Sequence, residues 1–214
     1  MNNNIKQYDF STKDEMLEKL QGYAINPDDD NIRIKNQIYD ILLHCPELLY
    51  ALHNEELESE LFDENGNLNI DENGEPLGQW DLYFGKDSNI KPYLYIPNTQ
   101  TDMRHYVCYQ TSFTTIKKYN SYIKEMIVTF NIFVNGQDGI DNLTGIPRHD
   151  LIASIIREKI AWIGIEIENP VPNYDKESVT DNDFLVRTLQ FKLDLPNSIA
   201  KTNNGNTAYS NKMW

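Results

Sequence analysis

The sequence predicts an α+β fold, in which an antiparallel sheet of four to five strands has helices packed on one face. Apolar residues occupy every second position over residues 126–134, and apolar and polar residues alternate strictly over 188–195. This period of two is typical of half-buried strands. Between these segments, residues 147–160 repeat apolar side chains at spacings of three and four, which predicts an amphipathic helix.

Composition divides the 214 residues into four parts. We expect residues 1–53 to form a helical region packed on the core. Residues 54–90 are acidic and rich in turn residues, and we interpret them as an insert or arm. The α+β core is predicted over 91–196, and a flexible polar tail over 197–214. This length suits one domain with additions.

Two helical segments are predicted before the insert. Residues 13–21 follow Ser11 or Thr12 as a possible cap, and Gly22 is expected just past the helix end. From residue 31 to residue 53 an apolar stripe recurs at spacings of three and four. Pro46 lies inside that stripe and lacks a backbone donor, so we expect a break before it and a second short helix from it.

The insert contains the sequence DENG twice, at 63–66 and 71–74. Asn-Gly favours tight turns, so a hairpin-like excursion is predicted, and such an arm is suited to contact with a neighbouring subunit. A calcium-binding EF-hand is not predicted. Alignment on Gly66 places Leu61 at the first ligand position, and alignment on Gly74 places Trp80 at the last.

The core segments follow one another with clear turn signals. Residues 93–96 are predicted as a short edge strand between two prolines. The next two strands form a hairpin around a turn at 117–121. Pro147 suits the first position of the following helix. After this helix, residues 163–171 alternate as a strand, and 169–183 read as a polar turn before the last strand.

Charge and cysteine content limit the function classes. The chain has 33 acidic and 19 basic residues, a net charge of -14, which argues against tight nucleic-acid binding because that needs cations against phosphates. A negatively charged channel wall still suits a protein through which DNA passes without binding.

Cys45 and Cys108 are predicted to be buried free thiols in a reducing compartment. No signal peptide or membrane span is predicted.

No catalytic motif is found, so neither an enzyme nor a cofactor is predicted. The chain lacks the phosphate-binding, dinucleotide-binding and nucleophile-elbow motifs. One set of residues keeps a metal-dependent hydrolase open as an alternative, because two histidines and two carboxylates suit zinc. These residues are Asp102, His105, His149 and Asp150. The dipole of the helix that begins nearby also explains Asp150.

Two segments carry a resemblance to a known family. Residues 90–113 read IKPYLYIPNTQTDMRHYVCYQTSF, and residues 126–160 contain a strand, an acidic loop and a helix start. Both resemble the neck proteins of tailed bacteriophages, namely the tail-terminator, tail-completion and head–tail joining proteins. Gly145, Arg148 and Asp150 match the short G-x-x-R-x-D element of that family.

The resemblance implies a structural virion protein. Proteins of this kind form closed rings, sixfold or twelvefold, around the DNA channel between the portal or its adaptors and the tail. A closed ring needs two different patches that meet. We expect assembly in the host cytoplasm, location in the virion, no membrane partner and no specific binding of genomic DNA. A baseplate or tail-tip adaptor of similar fold is the alternative.

The loop before the helix is the predicted contact surface with a neighbouring subunit or ring. The helix residue Arg148 is expected on a lateral or outer side of the helix, away from the apolar face. An aromatic residue in the tail is also expected to dock onto a partner. The predicted contact residues are Asn135, Gln137, Asp138, Asp141, Arg148 and Trp214.

Overall fold

The computed structural model describes residues 12–25, 30–97, 104–114, 123–162, 173–180 and 183–196. These ranges contain four α-helices and five strands, which confirms the predicted α+β class. The helices are α1 (Lys13–Ile25), α2 (Asp30–Leu43), α3 (Pro46–Ala51) and α4 (Arg148–Trp162). The strands are β1 (Ile90–Lys91), β2 (Tyr106–Phe113), β3 (Ile123–Asn135), β4 (Tyr174–Val179) and β5 (Phe184–Pro196).

The sheet has the order β1-β2-β3-β5-β4. Its centre is the antiparallel pair of β3 and β5, which stay in register from Ile123 opposite Pro196 to Asn135 opposite Phe184. Strand β2 is antiparallel to β3, which confirms the predicted hairpin. The exception is β1, which pairs with β2 in parallel. The sheet is therefore mixed, with antiparallel pairing in most of it.

The main core lies between the sheet and the helices. The alternating residues of β3 and β5 are buried on this face, as predicted, and the apolar stripes of α2, α3 and α4 pack against them. Phe130 lies at the centre, with its ring 6.1 Å from that of Tyr109 and 5.9 Å from that of Phe191. Both cysteines are buried and free, as predicted.

The predicted break before Pro46 is confirmed, because α2 ends at Leu43 and α3 begins at Pro46. At the start of α1, Thr12 and Glu15 exchange two hydrogen bonds of 3.2 Å, a capping box that identifies Thr12 as the cap. The predicted end of this helix was wrong, since α1 continues through Gly22 to Ile25.

The insert packs on the core. Leu61, Trp80 and Tyr83 are buried, and the Trp80 Nε1 donates to the Glu60 carbonyl at 2.9 Å. Both predicted tight turns are present, with Gly66 and Gly74 at φ of 80° and 87°, a conformation that glycine adopts without steric cost. The interpretation of this insert as an arm is therefore corrected. The two turns are exposed, but the buried residues on either side of them anchor the insert on the core.

Two strand predictions were wrong. The predicted edge strand at 93–96 is irregular, and the strand lies instead at β1. The predicted polar turn at 169–183 contains β4, whose six residues are all exposed at the sheet edge. The predicted strand at 163–171, the hairpin turn at 117–121 and the tail at 197–214 lie outside the described residues. None of the helices in the described ranges is long and apolar enough to cross a membrane.

Candidate functional site

The segment from residue 136 to residue 147, here the β3–α4 loop, lies where β3 ends and β5 begins. It starts with a short 3-10 turn, Gly136–Asp138, in which the Asn135 side chain accepts from the Gln137 N–H at 2.9 Å. Farther along, the Asp141 carboxylate accepts from both the N–H and the hydroxyl of Thr144. The Asp141 N–H donates to the Ile146 carbonyl. The loop is thus closed by its own hydrogen bonds.

Asp138 joins this loop to three other elements. One carboxylate oxygen accepts from His53 Nδ1 at 2.8 Å and from His105 Nε2 at 3.0 Å, and the other accepts from Arg148 Nη2 at 3.1 Å. His53 follows α3, His105 precedes β2, and Arg148 begins α4. We call these four residues and Asp141 the Asp138 network.

Arg148 is the cation of the network and is only 3% exposed. Its Nη1 donates to the Ala51 carbonyl at 3.2 Å and lies 3.3 Å from Asp141 Oδ1, while its Nε donates to the Asp138 carbonyl at 3.3 Å. The predicted lateral or outer position of Arg148 was wrong. A buried guanidinium with two carboxylates and two carbonyls satisfies its donors within the subunit, so it holds the loop in place.

His105 is fully buried, and its tautomer follows from its neighbours. Its Nδ1 accepts from the Asn135 N–H at 3.2 Å, so the proton lies on Nε2 and is donated to Asp138. Burial lowers the pKa of His105 to about 4, although the hydrogen bond to Asp138 opposes this shift. Burial acts to raise the pKa of Asp138, but hydrogen bonds from His53 and His105 and the charge of Arg148 lower it overall.

The ligand atoms of His53, His105 and Asp138 lie within 4.8 Å of one another, which raises the question of a metal site. A metal on His105 Nε2 would move the ring proton to Nδ1, where it would face the Asn135 N–H. Arg148 also holds the second oxygen of Asp138. The donors therefore fit a hydrogen-bonded network, and they do not fit a cation site.

The metal set predicted from the sequence is not assembled. His105 belongs to the Asp138 network, whereas Asp150 Oδ1 pairs with Arg187 Nη1 at 2.5 Å. Nothing in the described part of the chain links His105 to His149 by a hydrogen bond or an ion pair. Asp102 lies outside the described residues.

The outer side of the β3–α4 loop is apolar. Ile140, Leu143 and Ile146 are 61%, 83% and 43% exposed, and we call them the loop patch. The charged groups of the loop are turned inward to the Asp138 network, and these aliphatic groups are turned outward. A well-braced loop with exposed aliphatic side chains is the arrangement expected of an interaction surface.

Beside the loop patch lies a groove that ends at the sheet edge. Two adjoining hollows of about 360 and 580 Å³ share Gly136, Gln137 and Leu185, and we call them together the Leu185 groove. Val179 of β4 pairs with Leu185 in the sheet and lines one hollow. His149 lines the other and is 3% exposed. Neither ring nitrogen of His149 has a hydrogen-bond partner in the part of the chain that the structure describes.

Comparison with known proteins identifies the family of this chain. The model of the YomW family matches residues 45–193, which is more than half of the chain. The chain belongs to the YomW family. YomW is a phage-derived gene family, so a phage origin, as predicted, is supported. The YomW match includes the insert, the Asp138 network and the Leu185 groove. No curated protein and no solved structure matches the chain.

The predicted contact residues fall into two groups. Asn135, Asp141 and Arg148 are buried and Asp138 is half-buried, so the side chains of these four support the loop from inside. Gln137 is exposed in the groove, and its role in contact with a partner stays a prediction. Trp214 lies outside the described residues.

The sequence analysis did not identify His53 as part of the site. This residue is 85 positions from Asp138, and no spacing in the sequence indicates such a pair.

Proposed function

We propose that this YomW protein is a structural component of the phage particle that forms a ring of identical copies in the neck. In this role it joins the capsid and portal side to the tail as a head-to-tail connector or tail terminator. One observation carries the proposal: the Asp138 network braces a loop whose outer side displays Ile140, Leu143 and Ile146. Rigid apolar groups of this kind lower the ordering cost of assembly.

The use of charged groups favours assembly over catalysis. A catalytic site directs ionisable side chains at a ligand. Here Asp138, Asp141 and Arg148 are directed at one another, and His105 is neutral and buried at neutral pH. No enzyme activity is therefore proposed for this site.

The net charge is consistent with a ring around DNA. With a charge of -14 per copy, a ring of six or twelve copies carries a strongly negative overall charge. DNA then passes without specific binding, because the cations that hold phosphates are too few. The partners in this role are neighbouring copies, the portal or adaptor ring, and the tail.

Labelling of the intact particle tests this function. We expect an antibody or gold label on this protein to lie at the junction of head and tail, and we expect particles without the protein to accumulate as separate heads and tails. A label at the far end of the tail would overturn the neck assignment and favour the tail-tip adaptor. The absence of the protein from purified particles would overturn both.

A further inference from the structure

The Leu185 groove contains a buried polar side chain, His149, that forms no hydrogen bond within the described chain. His149 is almost fully buried, yet its Nδ1 and Nε2 make no hydrogen bond with any described residue. The nearest carboxylate oxygens, of Glu177 and Asp150, lie 3.3 and 3.5 Å from Nε2 but do not form hydrogen bonds with it. Buried polar groups in folded proteins are normally paired, so a further partner is indicated.

The groove has apolar walls and an acidic rim. Leu185, Val179 and Ile140 supply the apolar surface, and Val179 and Ile140 are 65% and 61% exposed. Glu177 and Asp183 supply exposed carboxylates along the same groove. The surface therefore suits a segment with apolar side chains and positive charge.

Residues 197–214 of this chain have that composition. None of the 33 acidic residues lies in this segment, whereas Lys201 and Lys212 do. Its last six residues include Tyr209, Met213 and Trp214, which bring large apolar area together with donors. In a chain of charge -14, a positively charged segment with terminal aromatic residues is the complement of an acidic groove.

We propose that residues 197–214 of one copy bind in the Leu185 groove of the adjacent copy. In this contact the aromatic residues pack against Leu185 and Val179, and a donor such as the indole N–H of Trp214 meets His149. The segment leaves the described body at Pro196, the far end of β5. The groove of the same copy lies about 36 Å back along β5. A segment of 18 residues extends up to about 60 Å, so it is long enough to reach beyond the sheet of its own copy.

This contact rests on the proposed ring, and it supplies the geometry that a ring requires. The groove and the segment are different surfaces, so each copy offers one of each to its two neighbours. Heterologous contacts of this kind form a closed ring when the rotation between neighbouring copies divides a full turn. A segment bound in the groove of its own copy would add no link between copies.

Mixing two defective variants of the full chain tests the proposal. The groove variant is Val179→Lys, which places a positive charge at an exposed position. The segment variant combines Lys212→Glu with Trp214→Ala. We expect the wild type to assemble and each variant alone to remain a monomer. An equimolar mixture should form a dimer, because the intact segment of the first variant meets the intact groove of the second. Val179→Thr, of similar shape, should assemble like the wild type.

The outcomes separate this inference from the ring itself. Rings formed by either variant alone would overturn the groove contact and leave the ring proposal standing. Monomeric variants whose mixture stays monomeric would show that the segment acts within its own copy, which also overturns the inference. A wild type that stays monomeric would overturn both the ring and this contact. Light scattering with far-UV circular dichroism distinguishes loss of assembly from loss of folding.

Discussion

Replacement of Asp138 by alanine should lower the free energy of unfolding by about 3 kcal/mol. The substitution leaves the His105 Nε2–H without its acceptor and removes one carboxylate from the buried guanidinium of Arg148. Loss of one partner of a buried charge pair costs about 3 to 5 kcal/mol, and the lower end applies because Asp141 remains beside Arg148. Urea unfolding at pH 7 measures the change.

The control for this experiment is Glu158→Ala. Glu158 is exposed on α4, and surface substitutions of this kind change stability by less than about 0.5 kcal/mol. If Asp138→Ala changed stability no more than the control does, the network would not be what holds the loop. Asp138→Asn should fall between the two, since its amide oxygen still accepts one hydrogen bond.

Acid should destabilise the protein through His105. In the folded protein this ring stays neutral down to about pH 4, whereas in the unfolded chain it takes up a proton near pH 6.5. Because the unfolded state binds more protons between these values, stability present above pH 6.5 is lost as the pH falls to about 4. The shift corresponds to a loss of about 3 kcal/mol, which denaturant unfolding at a series of pH values will show.

The difference between the wild type and His105→Gln isolates this contribution. The glutamine amide can still donate toward Asp138, but it does not titrate, so the slope between pH 6.5 and 4 should be smaller by the same amount. The lowered pKa of Asp138 affects stability in a separate pH range, below the ordinary pKa of an aspartate. The pKa of exposed His44 is raised by its hydrogen bond to Glu75, so His44 affects stability only above about pH 6.5, and His44→Gln should leave the slope between pH 6.5 and 4 unchanged. Equal slopes in the wild type and His105→Gln would contradict the buried neutral histidine.

The sheet core and the paired helices follow from patterns in the sequence. Every second residue of 126–134 is apolar because one face of β3 packs against helices. The break before Pro46 follows from a missing backbone donor. Both signals act over a few neighbouring residues, so no knowledge of the distant chain is needed. For this reason β3, β5, α3 and α4 were predicted and are present.

Features that depend on distant partners could not be predicted in the same way. Strand β4 has no alternation, because both of its faces are exposed, and its pairing with β5 alone makes it a strand. Arg148 looked like a surface residue until His53, Asp138 and Asp141 were placed around it. The insert looked like an arm because its turns are polar, although Trp80 and Tyr83 anchor it. These errors share one cause: burial is a property of the assembled fold.

The mass of the full chain in solution tests the central claim most directly. A copy of 25.0 kDa gives a ring of about 150 kDa for six copies or about 300 kDa for twelve, and light scattering should find one of these. Leu143→Asp should reduce the mass to that of a single copy and leave the circular dichroism unchanged, since Leu143 is 83% exposed. A wild type of 25.0 kDa at every concentration, or a Leu143→Asp variant that still forms the ring, would contradict the loop patch as the assembly surface.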